Sequence, residues 1–324
     1  MAEMLVGELE QNESQHVMRD KCMARALESL EGLACGDAFG ERFFDPRNRA
    51  SEVRASRTLP PAPWRLTDDT IMAISICACL ERFGGIEPEW LAESFARLYD
   101  PERGYGHAMN ALLMRLNAIG ASNWFEEAQE LFDGEGSSGN GAAMRVAPLG
   151  AYFAHDLHVV AEQAVLSSIA THCHPEGIAG AVAVAIGAAI ASRDRHALRP
   201  IEATAFLEAV RAHTPASAVR DGMERALQLP ASTTPLDAAL TIGNGTRATA
   251  QDTVPFALWS AARSLHSYED ALWETVNGGG DIDTNCAIVG GIVATRTGAQ
   301  AIPREWLGRR EPLSPLLHAA MKKD

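Results

Sequence analysis

The sequence predicts an all-α protein in one compact domain, on three observations. Its long apolar stretches, Ile71 to Leu80, Gly177 to Ala191 and Ala287 to Ala294, are dominated by small residues, and only 6% of the chain is aromatic. Small side chains suit closely packed helices better than sheets. The Val/Ile/Thr alternations that mark half-buried strands are missing. Polar, chemistry-bearing segments near residues 41, 68, 138, 172 and 281 are spread over the whole chain, which points to one domain around a central site. The length of 324 residues alone would suit two domains, but no internal repeat and no clean boundary divides it.

Taken in order, Met1 to about His16 is acidic and polar and reads as a flexible tail (residues 1–17), with the domain running over 18–324. From Met18 the apolar positions Met23, Ala26, Leu27, Leu30, Leu33 and Ala34 share one helical face. That helix runs into Gly36-Asp37-Ala38-Phe39-Gly40-Glu41, where the glycines suggest a break that Asp37 caps, leaving Glu41 free to reach a cleft. Asp45 to Arg65 is a Pro- and Arg-rich connection, and a loop of that length is usually functional or mobile. Helices follow at Ile71–Leu80, Trp90–Leu98 and His107–Ile119, with a turn at Tyr99–Gly106. Gly177–Ala191 reads as a helix buried all round, Arg193–Arg225 as a surface helix pair, and Thr253–Leu265 as a further apolar helix.

Hydrophobic residues make up 47% and charged residues 22%, enough for a substantial core. A formal charge of −14 argues against coating nucleic acid or an anionic membrane. An anionic ligand then needs local positive potential from a metal or a backbone nest. The six cysteines show neither zinc-cluster spacing nor a disulfide framework, so a reducing, cytoplasmic setting is expected. The N-terminus lacks a signal-peptide core, and no run is read as long enough to span a membrane.

The chain is organised around Asn277-Gly278-Gly279-Gly280-Asp281-Ile282-Asp283-Thr284. Aspartates two apart diverge on a regular helix, whereas at a loop-to-helix junction they can converge. Convergent carboxylates repel unless a cation lies between them, the geometry of a hard divalent ion. Thr67-Asp68-Asp69-Thr70 repeats the idea. Alone it is an N-cap with an acidic first turn; together, the two clusters read as the facing sides of one metal site. Gly134 to Gly141, rich in glycine and serine, offers backbone N–H groups to phosphate. It matches neither a P-loop nor a dinucleotide fingerprint. His172 and His174 have no third ligand at zinc spacing. Ile242-Gly243-Asn244-Gly245-Thr246 is another glycine loop.

Together these motifs resemble the ADP-ribosylglycohydrolase family. They are Gly36 to Gly40, Thr67 to Thr70, Gly139 to Pro148, Thr171-His172 and Gly279 to Thr284, in that order over roughly residues 25–310. The segments Tyr99–Gly106 and Gly134–Gly141 look most like the branch acting on serine-linked and polymeric ADP-ribose. The resemblance implies a compact, orthogonal all-α bundle with a central dinuclear cleft and hydrolysis at the anomeric carbon of an ADP-ribosyl group. It implies two Mg2+ ions (Mn2+ being an alternative) held by Thr67, Asp68 and Asp69 from one side and Asp281, Asp283 and Thr284 from the other. Gly136, Ser137, Ser138, Gly139, Asn140 and Gly141 would cradle the diphosphate and its ribose. Phe132 would stack near the adenine, His172 would contact the ligand, and Thr246 would line the adenosine end. The substrate would be an ADP-ribosylated protein or another ADP-ribose conjugate.

The family often carries a glutamate near the metals where this chain has Phe44. Either Glu41 takes over, as a ligand and a general base beside Asp68, Asp69 and Asp283, or the role is absent. Ile282 stands where the family has threonine. The rival readings are a metal-dependent N-glycosidase acting on a free nucleoside or nucleotide, and a non-catalytic ADP-ribose-binding relative.

Overall fold

The computed structural model describes residues 2–321, without the side chains of residues 2–16 or of Ser51. Its helices are α1 (Ala2–Glu41), α2 (Ser51–Ala55), α3 (Asp68–Phe83), α4 (Pro88–Arg97), α5 (His107–Ile119) and α6 (Trp124–Gln129). Next come α7 (Gly141–Met144), α8 (Ala147–Tyr152), α9 (Leu157–Ile169), α10 (Pro175–Asp194), α11 (Ala203–His213) and α12 (Ala218–Leu227). The last are α13 (Pro235–Ile242), α14 (Ala250–Arg263), α15 (Tyr268–Val276), α16 (Ile282–Thr297), α17 (Arg304–Arg309) and α18 (Ser314–Met321). Among the described residues there is no strand, only two isolated bridges, Trp64 with Arg310 and Gly139 with Thr249. The all-α expectation is borne out. The α1 backbone is helical from Ala2, through the segment read as a tail.

Helices α1 and α16 form the spine, running antiparallel in close contact. A β-carbon on Gly32 would stand 2.4 Å from the Gly290 carbonyl oxygen, one on Gly36 2.1 Å from that of Cys286, and one on Gly40 2.6 Å from that of Ile282. Both helices thus advance four residues per contact, the rise of about one turn. These glycines therefore do not break the helix, as the sequence suggested. They let two backbones touch, and α1 continues to Glu41. Ser29 Oγ donates to the Gly291 carbonyl at 3.0 Å, and Tyr268 Oη to that of Gly32 at 2.6 Å. The C-terminal end of α1 is thereby fixed against the N-terminal end of α16.

Helix α10 packs against α7, α8, α9, α14 and α16. Its 20 residues are long and apolar enough to cross a membrane, which corrects the expectation that no run is. Nearly every side chain is buried within the protein, and α10 serves as a core helix. At the α1 end, Phe39 stacks on Trp306 with ring centroids 4.3 Å apart and meets Trp273 edge-on at 5.0 Å. Trp64 joins the cluster, and its backbone pairs with the C-terminal segment (Glu311 N to Trp64 O, 2.8 Å). The cluster holds the connection that leads into α3.

Gly36→Ala is expected to lower unfolding free energy by about 3 kcal/mol, the upper range for overpacking, because the new methyl meets backbone that cannot rotate away. Denaturant melts check it, and a loss below about 0.5 kcal/mol, the surface-mutation range, would contradict the tight α1–α16 contact.

Candidate active site

The site begins with a capped helix start. Thr67 adopts extended backbone angles and its Oγ1 accepts from the Asp69 N–H, as the sequence predicts of an N-cap. Asp37, buried inside α1, holds this turn from below. Its carboxylate accepts from the Thr67 N–H at 2.9 Å, from Thr67 Oγ1 at 2.7 Å and from Thr70 Oγ1. Asp37 does not cap a helix break, as the sequence suggests; it is the side chain that joins α1 to α3. Its signal was the spacing of Gly32, Gly36 and Gly40, a close-packing stripe rather than a break.

The second carboxylate pair stands at the start of α16, at the loop-to-helix junction the sequence indicates. Gly279 and Gly280 adopt φ of +66° and +75°, and a β-carbon on Gly280 would strike the Asn244 carbonyl at 2.1 Å. Only glycine fits there. Asn244 braces the loop: its carbonyl accepts from the Asp281 N–H at 3.0 Å and from Asn285 Nδ2 at 2.7 Å. Asn140 Nδ2 donates to Asp281 Oδ2 at 2.7 Å, tying the glycine loop before α7 to this junction.

Carboxylate oxygens of Asp37, Asp69 and Asp283 lie within 4.8 Å of one another. Among the described residues, no Lys or Arg ion-pairs with these three, nor with Asp68 or Asp281, and buried Asp69 Oδ1 has no hydrogen-bond partner. Burial, then the charges of Asp37 and Asp281, push the Asp68 carboxyl up to about 8. Burial pushes Asp37 up to about 6 against the threonine hydrogen bonds. Asp69 and Asp283 are held well above the carboxylate range by burial, then by neighbouring aspartates. An all-oxygen donor set with an orphaned carboxylate oxygen fits a hard divalent cation.

The carboxylates open onto a cavity of about 470 Å³ lined by Asp68, Asp69, Asp281, Asp283 and Thr284. Phe132, Ser137, Ser138, Gly139, Asn140, Gly141 and His172 line it too, as the sequence reading requires. Phe132 is 59% exposed at the rim. His172 seats against the glycine loop: a β-carbon on Gly141 would come within 2.9 Å of its Nε2. The N-terminal ends of α3, α5, α14 and α16 all reach this cavity, so helix dipoles supply positive potential in an otherwise acidic site.

Four expected site residues do not line it. Thr67 lies buried just outside the wall, its Oγ1 donating to Asp37 Oδ1 and to Asp69 Oδ2 at 3.1 Å. Gly136 (φ +74°) lies behind the loop, against the His174 backbone. Thr246 is exposed and donates to Asn244 Oδ1, while Arg247, Ala248 and Thr249 take the wall. Glu41 sits half-buried near Asp37, whose charge, after burial, raises its carboxyl. Phe44 is exposed beneath Arg49, whose guanidinium lies 5.5 Å from the ring centre. Gly104, Gly106, His107, Ala108 and Met109 also form the wall, beyond the residues the sequence indicates, with the Tyr99–Gly106 turn as their signal. Arg103 fixes that turn, donating to the Leu66 carbonyl at 2.8 Å and to Glu311 at 2.6 Å.

Comparison with known proteins agrees with this geometry. The ADP-ribosylglycohydrolase family model matches residues 18–322. ADP-ribosylhydrolase ARH3 of Homo sapiens is 26% identical over 325 residues, covering 88% of this chain and 89% of its own. ADP-ribosylarginine hydrolase Tri1 of Pseudomonas putida is 25% identical over 305 residues, covering 89% and 74% respectively. A solved chain of an ADP-ribosylglycohydrolase-related protein complex matches with a TM-score of 0.63 at 25% identity, over 93% of this chain and 97% of that one. The chain belongs to the ADP-ribosylglycohydrolase family and is an enzyme of that class.

The raised carboxyl of Asp68 has a consequence for stability. With chelator present, the folded state holds a proton between about pH 3.8, the ordinary value, and about pH 8 that the unfolded chain releases. This group's contribution therefore falls as pH rises through that window. Asp68→Asn, in chelator, is expected to be more stable than wild type at pH 8, by a margin that shrinks towards pH 5. A margin independent of pH in thermal melts would contradict the shift.

Proposed function

We propose that the enzyme hydrolyses the glycosidic bond between ADP-ribose and a protein side chain or related acceptor, with magnesium as its cofactor. The convergence of five aspartates from α1, α3 and α16 beside a glycine loop carries this reading. Asp68, Asp69, Asp281, Asp283, Thr67 and Thr284 would hold the ions, which supply Lewis-acid polarisation and water activation. Asp37 keeps Thr67 and the start of α3 in place for them.

Departure of a leaving group from an anomeric carbon builds positive charge on the ribose. A cluster of carboxylates fixed before the substrate arrives stabilises that charge without reorganisation. The proton of the attacking water passes to Asp68 or Asp69, which line the cavity; Glu41, set off from it, is assigned an outer, supporting place. The diphosphate lies along Ser137 to Gly141, where the Ser137 and Ser138 N–H groups donate to no protein acceptor among the described residues. Phe132 stacks on the adenine. Six free cysteines accord with a reducing, cytoplasmic setting for this activity.

The test is ADP-ribose release, with magnesium and with EDTA, from arginine-linked, serine-linked, O-acetyl and polymeric substrates. Release from at least one, abolished by EDTA, is expected. Asp283→Ala should reduce turnover at least about 100-fold and Asp37→Asn about 10- to 100-fold, the range for groups that orient ligands, with circular dichroism unchanged. Full activity in Asp283→Ala, or release unaffected by EDTA, would refute the proposal.

A further inference from the structure

The hydroxyl of Thr171 lies outside the cavity wall, behind His172. Thr171 is fully buried, and its Oγ1 lies 2.7 Å from Nδ1 of His172. Among the described residues it makes no other side-chain hydrogen bond. A hydroxyl can donate or accept here, and a neutral imidazole can do either at each nitrogen. If Nδ1 carried the proton, the Thr171 hydroxyl hydrogen would be buried with nowhere to go, at the full desolvation cost of an unmade bond. If the hydroxyl donates, Nδ1 accepts and the proton resides on Nε2.

That choice decides what the cavity presents to a ligand. Nε2 is the ring edge turned towards the glycine loop: β-carbons built on Gly139 and Gly141 would lie 3.2 and 2.9 Å from it. The backbone that carries the ring is fixed, because the turn beneath it is tied twice to α9. The His172 N–H donates to the Ser168 carbonyl at 2.8 Å, and Ser168 Oγ donates to the His172 carbonyl at 2.9 Å. Burial, and the charge of the buried Arg145 guanidinium, pull the ring's pKa down to about 3, so it is neutral in ordinary buffers. A neutral ring with an unprotonated Nε2 would set a lone pair against an anionic oxygen.

We infer that Thr171 is a positioning residue, whose hydroxyl donates to Nδ1 of His172 and fixes the tautomer that offers Nε2–H to an oxyanion at the glycine loop. Under the function proposed above, which this inference deepens, that oxyanion belongs to the ADP-ribose diphosphate. His172 then serves as a fixed donor and takes no part in proton transfer.

Two-bond 1H–15N spectra of the histidine rings at neutral pH read the tautomer directly in the ligand-free protein, and the spectrum of His172→Gln identifies the signal among ten histidines. The wild type is expected to show His172 with protonated Nε2 and unprotonated Nδ1. Thr171→Val, which keeps the shape and removes the hydroxyl, should shift protonation towards Nδ1. It should also weaken ADP-ribose binding by about five- to thirty-fold, the worth of one buried hydrogen bond. Thr171→Ser should restore both signature and affinity. A wild-type ring protonated at Nδ1, or a Thr171→Val ring still purely Nε2-protonated with wild-type affinity, would overturn the inference. A wild-type ring protonated at Nε2 in a chain that binds no ADP-ribose would contradict the proposed function while supporting the role of Thr171.

Discussion

The contact between α1 and α16 is made by backbone rather than by side chains, and the site depends on it. Three glycines spaced by four residues on α1 meet carbonyls spaced by four on α16. The two helices therefore register like a ratchet, with little freedom to slide by less than a turn. Because they run antiparallel, the last turn of one lies beside the first turn of the other. Asp37 and Asp283 are brought together by that registry, and Asp69 joins them through the hydrogen bonds that Asp37 makes to Thr67 and Thr70. A larger residue at any of these glycines would separate the carboxylates as well as the helices.

The arrangement works against the stability of the protein on its own. Carboxylates buried together without a side-chain cation repel, and burial alone already disfavours their charged forms. Helix N-termini at α3 and α16 return part of that energy. The rest of the scaffold holds the carboxylates in place: the aromatic cluster around Phe39, the Asn244 brace and the Arg103–Glu311 tie lie outside the cavity wall. Strain gathered at a functional site and offset elsewhere is the usual pattern. In this protein the strain is electrostatic, which is why a divalent cation suits it better than a hydrogen-bond donor.

Much of this was legible in the sequence because its signals are local. A threonine cap followed by acidic residues marks the start of α3 wherever α3 packs, and three glycines before Asp281 announce a tight junction. The buried character of α10 follows from its composition. The status of Asp37 did not, because a glycine in a helix reads equally as a break or as a close contact, and only the partner helix distinguishes them. Thr246 failed for a similar reason. Its glycine loop is legible, but whether the hydroxyl faces ligand or Asn244 depends on a residue more than thirty positions away, Gly278, to which Asn244 is anchored. Glu41 and Phe44 lie where α1 ends, and the Phe44 ring faces Arg49 of the connection that follows.

The proposed cation site lies between the aspartates of α3 and α16, with Asp37 of α1 holding Thr67 beside it. Calorimetric titration of the chelator-stripped protein with Mg2+ tests it without reference to any substrate. Saturable binding of two ions is expected, with proton release because carboxyls raised by burial must ionise, and loss of that binding in Asp283→Asn. A wild-type protein that takes up no divalent ion, or an Asp283→Asn protein that binds two as well as wild type does, would contradict it.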